Sequence, residues 1–252
     1  MSLTIENPAA EVEKIIKFLR DTLSKTHIST LVVAVSGGID SALSLTIAVK
    51  AIGAENVHAL MLPYKDQSTE DSQTIISWNK LPSNNIHTIN IEPMVEVTAT
   101  TLNADSDLRK GNIMARSRMI AVYDLAKQLS ALVCGTENKS EKYLGYFTRF
   151  GDEASDIEPI QHLYKTQVRQ LVEHLQLPKI FLEKAPSAGL WQDQTDEQEL
   201  GFSYRQADLA LSHLIDGEEL NVDQSILQKV QQRVDSQHFK LEVPYKIYYF
   251  QL

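Results

Sequence analysis

A glycine- and serine-rich segment, Ser36-Gly37-Gly38-Ile39-Asp40-Ser41, has the residue types of an anion-binding turn. It follows a β-branched apolar run and precedes a stretch of good helix formers, so we expect it to join a strand to a helix. Glycines let backbone N–H groups approach a bound group closely. A helix N-terminus adds unpaired N–H donors and the positive end of the helix dipole. The segment therefore predicts a phosphate site.

Asp40 is an acidic residue inside this predicted anion site. That placement favours a divalent cation that bridges the carboxylate to phosphate. The alternative is that Asp40 or Ser41 caps the helix, since both residue types are preferred at that position. A cap, however, needs one residue rather than the whole motif. The segment also lacks the Gly-Lys-Ser/Thr of the Walker loop and the Gly-x-Gly-x-x-Gly of dinucleotide-binding turns.

The elements that must position this turn alternate along the first half of the chain. Helices are predicted at 12–23, 42–52, 68–78 and 113–129, and strands at 31–35, 57–62, 86–91 and 131–134. This alternation predicts an α/β fold, with a doubly wound parallel sheet flanked by helices. Ligands of such folds bind beyond the carboxyl ends of the strands. The turns after Val35 and after Cys134 are therefore the expected binding positions.

The second half contains two long polar segments, at about 137–159 and 185–200. Segments of this length are rarely passive connections, so we predict that both are binding loops. Further helices are predicted at 164–175, 200–213 and 222–234. The chain has 252 residues, 43% of them hydrophobic, and shows no repeat or low-complexity linker. We expect one domain that spans 1–252.

Composition excludes several classes of function. The net charge of -9 argues against a nucleic-acid partner, because such proteins need a basic surplus to neutralise phosphates. No apolar run is long enough to cross a bilayer, and the N-terminus lacks the pattern of a signal peptide, so we expect a cytoplasmic protein without a membrane partner. Cys134 is the only cysteine. Its place in an apolar run favours a small buried hydrophobe over a nucleophile.

The turn Ser36–Ser41 resembles the pyrophosphate-binding loop of the N-type ATP pyrophosphatases, and four later segments narrow the resemblance to NAD synthetases. These segments lie in the family's order: Lys110-Gly111-Asn112-Ile113-Met114-Ala115-Arg116-Ser117-Arg118-Met119, Gly135-Thr136-Glu137-Asn138-Lys139-Ser140-Glu141, Gly145-Tyr146-Phe147-Thr148-Arg149-Phe150-Gly151-Asp152 and Pro186-Ser187-Ala188-Gly189-Leu190-Trp191, the last continuing to Gln194-Thr195-Asp196-Glu197 and Glu199-Leu200-Gly201. The resemblance implies an adenine nucleotide α-hydrolase-like fold. It also implies cleavage of ATP between the α and β phosphates, so that the carboxylate of deamido-NAD is adenylylated and then amidated by ammonia. A homodimer with the substrate site near the interface is part of the same implication.

The resemblance also assigns roles to individual residues. ATP contacts are Ser36, Gly37, Gly38, Ile39, Asp40, Ser41, Thr136, Lys165 and Ser187. Magnesium ligands are Asp40 and Glu141. Contacts to deamido-NAD are Asn112, Arg116, Tyr146, Phe147, Arg149, Asp156, His238 and Lys240. Asp40 and Lys165 are assigned to catalysis, and Asp152 is our candidate for the base that deprotonates ammonium.

Several of these residues also have simpler interpretations. Thr136 would serve as a helix or turn cap, Tyr146 and Phe147 as core aromatics, and Glu141 as a solvated loop residue. Arg116 and Arg118 would be solvated helix residues. The chain also departs from the family pattern at four places. Arg149 replaces a lysine, Phe239 stands where a lysine is expected between His238 and Lys240, no arginine precedes Leu62-Pro63, and the aromatic-rich tail 245–252 suits packing or a subunit contact.

The nitrogen donor is expected to be ammonia. Larger members of the family carry an amidohydrolase domain with a cysteine nucleophile, and this chain offers neither, although a separate glutaminase could supply the ammonia. Two rival functions remain open from the sequence. One is another ATP pyrophosphatase, GMP-synthetase-like or tRNA-modifying. The other is a nucleotide-binding sensor that catalyses no reaction. Such a sensor does not need the combination of Glu141, Lys165 and the aromatic loop at 145–152.

Overall fold

The computed structural model describes residues 3–187, 189–191, 194–242 and 244–245. Within these ranges a four-stranded sheet has the order β3-β2-β1-β4, and every neighbouring pair of strands is parallel. Leu31 lies opposite Val57 on one side and Leu132 on the other. The predicted α/β fold with a parallel sheet is confirmed. The strands are β1 (Leu31–Ala34), β2 (Val57–Met61), β3 (Ile86–Thr88) and β4 (Leu132–Cys134).

Helices cover both faces of the sheet, which explains why the central strands are apolar at successive positions. Leu31 and Val33 of β1 pack against one helical layer, whereas Val32 packs against the other. The first layer contains α1 (Pro8–Thr26), α2 (Ile39–Ile52), α3 (Glu70–Trp78) and α7 (Lys165–His174). The second contains α4 (Glu92–Thr101) and α5 (Asp107–Leu129).

The strand order creates a crevice between β1 and β4. The chain runs outward from β1 to β2 and β3, then returns to place β4 on the opposite side of β1. The connections that leave β1 and β4 therefore diverge at their carboxyl ends, where α/β folds bind ligands. The two turns that the sequence marked, after Val35 and after Cys134, both lie at this point.

The C-terminal part forms a smaller apolar cluster around Leu144, Phe202 and Leu211. This part contains α6 (Lys139–Leu144), α9 (Asp196–Leu200), α10 (Tyr204–Asp216) and α11 (Gln224–Gln237), and a 3₁₀ turn, His238–Lys240, follows. Helices α6 and α10 contact α7, which joins them to the sheet. Helix α8 (Ile180–Glu183) packs through Phe181 into the first helical layer. No helix in the described ranges is long and apolar enough to cross a membrane.

Candidate active site

The turn between β1 and α2 is compact and depends on glycine. Gly37 has a φ of +80°, a conformation that residues with a side chain rarely adopt. A Cβ at this position would lie 2.9 Å from the Cβ of Asp71 at the start of α3. The Ser41 hydroxyl donates to the Gly38 carbonyl at 3.0 Å and lies 3.2 Å from the Ser36 hydroxyl. The turn thus leads directly into α2, which begins at Ile39.

Three charged side chains that the sequence assigned to ATP and magnesium meet beside this turn. Lys165 Nζ lies 2.5 Å from Asp40 Oδ2 and 2.9 Å from Glu141 Oε1. Asp40 comes from the first turn of α2, Glu141 from α6 after β4, and Lys165 from the first residue of α7. Lys165 is only 4% exposed, so its charge is held among protein atoms.

The charges of this cluster depend on one another. Burial disfavours the ammonium of Lys165, but the carboxylates of Asp40 and Glu141 outweigh that effect and raise its pKa above the usual range. Burial raises the pKa of Glu141 to about 7, against the opposing attraction of Lys165. The cluster is therefore a lysine ammonium shared by two carboxylates, at the strand ends where phosphates bind in this fold class.

Asn138 orients both carboxylates, and the sequence analysis missed it. Its Nδ2 donates to Asp40 Oδ1 at 2.9 Å, and its backbone N–H donates to Glu141 Oε2 at 3.4 Å. Its Oδ1 accepts from the Glu141 backbone N–H at 3.0 Å. Asn138 and Glu141 form a capping box at the start of α6. The pattern Asn-x-x-Glu is visible in the sequence and could have identified the cap.

Asp208 of α10 helps to hold Lys165 in place, although no local sequence pattern marks Asp208 as part of the site. The Lys165 backbone N–H donates to Ser140 Oγ at 2.8 Å, and Ser140 Oγ donates to Asp208 Oδ1 at 2.5 Å. Asp208 Oδ2 accepts from the Thr166 N–H at 2.8 Å. Burial raises the pKa of the Asp208 carboxyl. The Tyr204 ring centre lies 5.0 Å from Lys165 Nζ, close enough for a cation–π contact.

A second group of assigned residues meets at the aromatic loop that follows α6. Lys240 Nζ donates to the carbonyls of Gly145 and Phe147, at 2.6 and 2.8 Å. The Arg149 guanidinium lies 5.5 Å from the ring centre of Phe239. The departures at Arg149 and Phe239 therefore contact each other, and the C-terminal turn packs on the aromatic loop.

Helix α5 contacts the same loop from another side. Asn112 Oδ1 accepts from Thr148 Oγ1 at 2.9 Å, and the exposed Arg116 donates to the Arg149 carbonyl at 3.1 and 3.3 Å. Asp152 Oδ1 accepts from the Thr148 N–H at 2.9 Å. These residues lie close together, as a binding site for a single substrate molecule requires. Their roles in substrate binding stay predictions.

Other assigned residues take part in local contacts. Asp156 Oδ2 accepts from the Val133 N–H at 2.8 Å at the edge of the sheet, and Ser187 Oγ donates to the Gln194 carbonyl at 2.7 Å. Tyr146 donates to Glu199 at 2.8 Å and packs against the C-terminal cluster. His238 is exposed and lies 3.5 Å from Glu242. Thr136 is half-buried between β4 and α6.

Two further predictions concern the C-terminal tail and the cysteine. Most of the tail 245–252, together with Ala188 of the fourth family segment, lies outside the described residues. Cys134 is buried, and burial raises the pKa of its thiol above the usual range. A buried neutral thiol agrees with the interpretation of Cys134 as a small core residue.

Arg118 is engaged with the protein rather than solvated. Its Nε donates to the Leu62 carbonyl at 3.1 Å, and its Nη2 donates to Gln67 Oε1 at 2.9 Å. The guanidinium thus lies beside the segment where the family's arginine is missing. Gln67 Nε2 in turn donates to the Gly189 carbonyl at 2.7 Å, which ties the 185–200 loop to the turn after β2.

Comparison with known proteins decides between the related ATP-cleaving families. The family model described as NAD synthase matches residues 11–244. The chain belongs to the NAD synthase family. Among curated members, an NH(3)-dependent NAD(+) synthetase from Chlorobium phaeovibrioides is 45% identical over 86% of this chain and 78% of its own. Another, from Thermococcus kodakarensis, is 44% identical over 82% of this chain and 81% of its own.

Solved structures of this family agree with the fold. The NH3-dependent NAD synthetase of Campylobacter jejuni has a TM-score of 0.84 and 28% identity, over 97% of this chain and all of its own. The NMN synthetase of Francisella tularensis has a TM-score of 0.86 and 36% identity, over 97% of this chain and all of its own. The family membership excludes the GMP-synthetase-like and tRNA-modifying alternatives.

Proposed function

We propose that this protein is an ammonia-dependent NAD synthetase that converts deamido-NAD to NAD with ATP and ammonia. The observation that carries the proposal is the meeting of Asp40, Glu141 and Lys165 at the carboxyl ends of β1 and β4, in a chain of the NAD synthase family. This arrangement suits the binding and cleavage of a triphosphate, whereas a sensor that only binds nucleotide needs the Ser36–Ser41 turn but not Glu141 and Lys165 together with it.

The carboxylates fit Mg²⁺, which we propose as the metal that accompanies ATP. Asp40 and Glu141 supply hard oxygen donors, and their side chains are 15% and 18% exposed, so an ion can reach them. No group of three or more His, Cys, Asp or Glu side chains that could hold a metal occurs in the described part of the chain. Two carboxylates are nevertheless usual for Mg²⁺, which keeps waters and takes phosphate oxygens. When bound, the ion would neutralise charge on the phosphates.

The protein groups then act mainly by electrostatic positioning. Lys165 and the N–H groups of the Ser36–Ser41 turn stabilise the negative charge that grows on the phosphates of ATP. The carboxylate of deamido-NAD attacks the α-phosphorus, and pyrophosphate leaves. Ammonia next attacks the activated carbonyl carbon, and the bond to AMP breaks. We assign Asp152, beside the aromatic loop, as the candidate proton acceptor in this second step.

The residues around the aromatic loop are proposed to bind deamido-NAD. Arg116 and Arg149 offer cationic groups suited to phosphate or carboxylate. Phe147 offers an apolar ring surface for the nicotinate. We further propose that the protein is a cytoplasmic homodimer with this acceptor site near the subunit interface.

The direct test incubates purified protein with MgATP, ammonium chloride and deamido-NAD, and follows NAD and pyrophosphate separately. We expect both products only when all three substrates are present. Binding of ATP without any pyrophosphate release would contradict the proposal and favour the sensor.

Amidation of nicotinate mononucleotide is a second candidate function. It is favoured by the likeness to the NMN synthetase of Francisella tularensis, which extends over 97% of this chain at 36% identity. The two acceptors share the reacting nicotinate and differ in the adenylate half. The ratio of kcat/KM for the two acceptors in the same assay distinguishes the candidates.

A further inference from the structure

Two glutamates beside the end of β4, Glu137 buried and Glu158 half-buried, form an acidic pair that the mechanism above does not use. Glu137 directly follows Thr136 and is 8% exposed. Its backbone N–H donates to Glu158 Oε2 at 3.2 Å. The Glu158 carboxylate lies so close to Gly135 that a Cβ there would meet Oε1 at 1.8 Å. The backbone of the strand end is therefore shaped around this carboxylate.

One oxygen of the pair lacks a hydrogen-bond donor. Glu137 Oε2 accepts from Gln161 Nε2 at 2.6 Å, whereas Glu137 Oε1 is buried and has no partner among the described residues. Leaving a buried acceptor unsatisfied costs about 1–3 kcal/mol, and more when the group is charged. Such an atom indicates a missing donor, either an ordered molecule or a ligand.

We infer that Glu137 and Glu158 form the binding site of the ammonium substrate, with Glu137 Oε1 as the acceptor of one of its N–H groups. This inference rests on the proposed function, because only an ammonia-dependent enzyme needs such a site. Ammonium has four N–H donors and no acceptor, so it suits an oxygen that lacks a donor beside a second carboxylate.

The charge of the pair matches a monovalent cation. Burial and the neighbouring carboxylate raise the pKa of Glu137 to about 8, and burial raises that of Glu158 to about 7. Near neutral pH the pair therefore carries much less than two negative charges. Lys142 is separated from Glu137 by the Gln161 side chain, since Lys142 Nζ donates to Gln161 Oε1 at 2.7 Å. Glu158 Oε1 already accepts from Ser155 Oγ at 2.7 Å, which leaves Glu137 Oε1 as the free position.

On this inference Glu137, in place of Asp152, also takes the proton of ammonium. In that step one N–H bond breaks, an O–H bond forms on the Glu137 carboxylate, and neutral ammonia keeps the lone pair that attacks carbon. Bound ammonium, as a cation, favours the ionised form of Glu137, and a carboxylate whose pKa is raised takes a proton back more readily than an exposed glutamate. Glu137 precedes Asn138, whose side chain contacts Asp40. Glu137 is therefore next in the chain to a residue of the proposed magnesium and ATP site.

The test uses Glu137→Gln and Glu158→Gln, with Glu173→Gln on the exposed surface of α7 as the matched control. Ammonium chloride is varied at saturating MgATP and deamido-NAD, with sodium chloride holding the ionic strength. We expect the apparent KM for ammonium to rise about tenfold in both variants, the effect of one lost hydrogen bond to a charged group. Exchange of pyrophosphate into ATP, measured with deamido-NAD and without ammonium, should stay near the wild-type rate.

Two results would overturn the inference. One is an unchanged KM for ammonium in both variants, and the other is a loss of pyrophosphate exchange equal to the loss of synthesis, which a structural role would produce. If circular dichroism shows that Glu137→Gln is unfolded, Glu158→Gln decides by the same two criteria. Absence of synthesis by the wild type, with deamido-NAD and with nicotinate mononucleotide, is a different outcome and refutes the proposed function itself.

Discussion

Asp40 is the central carboxylate of the cluster that it forms with Glu141 and Lys165, because Lys165 and Asn138 both contact it. Asp40→Asn keeps the shape of the side chain and removes its charge. We expect pyrophosphate release to fall at least about 100-fold, since electrostatic stabilisation of the phosphates is the main contribution of this cluster. Asp21→Asn, which changes an exposed ion pair with Lys17, is the control. Retained turnover with Mg²⁺ would remove Asp40 from its proposed role.

Arg116 offers a test of the acceptor site that is separate from ATP. Arg116→Ala should chiefly raise the KM for deamido-NAD, by about tenfold or more, because a cationic contact to phosphate or carboxylate is lost. Arg109→Ala removes another exposed arginine of α5, one that donates to Leu102 and Asn103, and should leave this KM unchanged. A change confined to the KM for ATP would show that Arg116 is wrongly assigned.

The acidic pair Glu137 and Glu158 also predicts how stability changes with pH. Both pKa values are raised in the folded state, to about 8 and about 7, so the folded protein holds protons that the unfolded chain releases near the ordinary value. Stability is therefore lost as pH rises from about 4.5 towards 8. Glu137→Gln removes part of this dependence. We expect its melting temperature to fall less than that of the wild type between pH 5 and pH 8, with Glu173→Gln following the wild type.

At the scale of elements, α6 is short but sets the geometry of the cluster. Asn138→Ala removes its cap and the hydrogen bond to Asp40 together. We expect a loss of about 1–3 kcal/mol in the free energy of unfolding and a clear fall in pyrophosphate release. Asn7→Ala removes the N-cap of α1, away from the cluster, and should cost about 1 kcal/mol with activity retained. Equal effects of both variants on activity would argue against a positioning role for Asn138.

Element boundaries show where sequence reasoning reached its limit. The strands around β1 were predicted because apolar runs buried on both faces are easy to recognise. The predicted third strand over 86–91 is too long: β3 ends at Thr88, and Ile91 is the residue before α4. Helix α4 was missed because its Val- and Thr-rich sequence has weak helical propensity and gains its stability from packing against the sheet. Short α6 and α9, inside the predicted loops, carry too few residues to show a period.

At the scale of the whole molecule, the site follows from topology as much as from motifs. The Ser36–Ser41 turn and the Thr136 segment could be placed together from the sequence, because both follow strands of one parallel sheet. The position of Asp208 next to Lys165 could not be predicted from the sequence, because it depends on how α10 packs against α7. The contact between Arg149 and Phe239 likewise depends on how the C-terminal turn folds back. The assignment of 1–252 to one domain stays a prediction.

The proposed homodimer predicts that exposed apolar residues of α4 and α5 lie at the subunit interface. Val97 on α4 and Leu108 and Ile120 on α5 are 69%, 65% and 53% exposed, and we propose that they contact the second subunit. Ile120→Asp places a charge on this surface and should convert a dimer to a monomer in light scattering. Because α5 also carries Asn112 and Arg116, the KM for deamido-NAD should rise with it. Ile180→Asp changes an exposed isoleucine of α8 and should leave both unchanged, whereas a monomeric wild type would contradict the dimer.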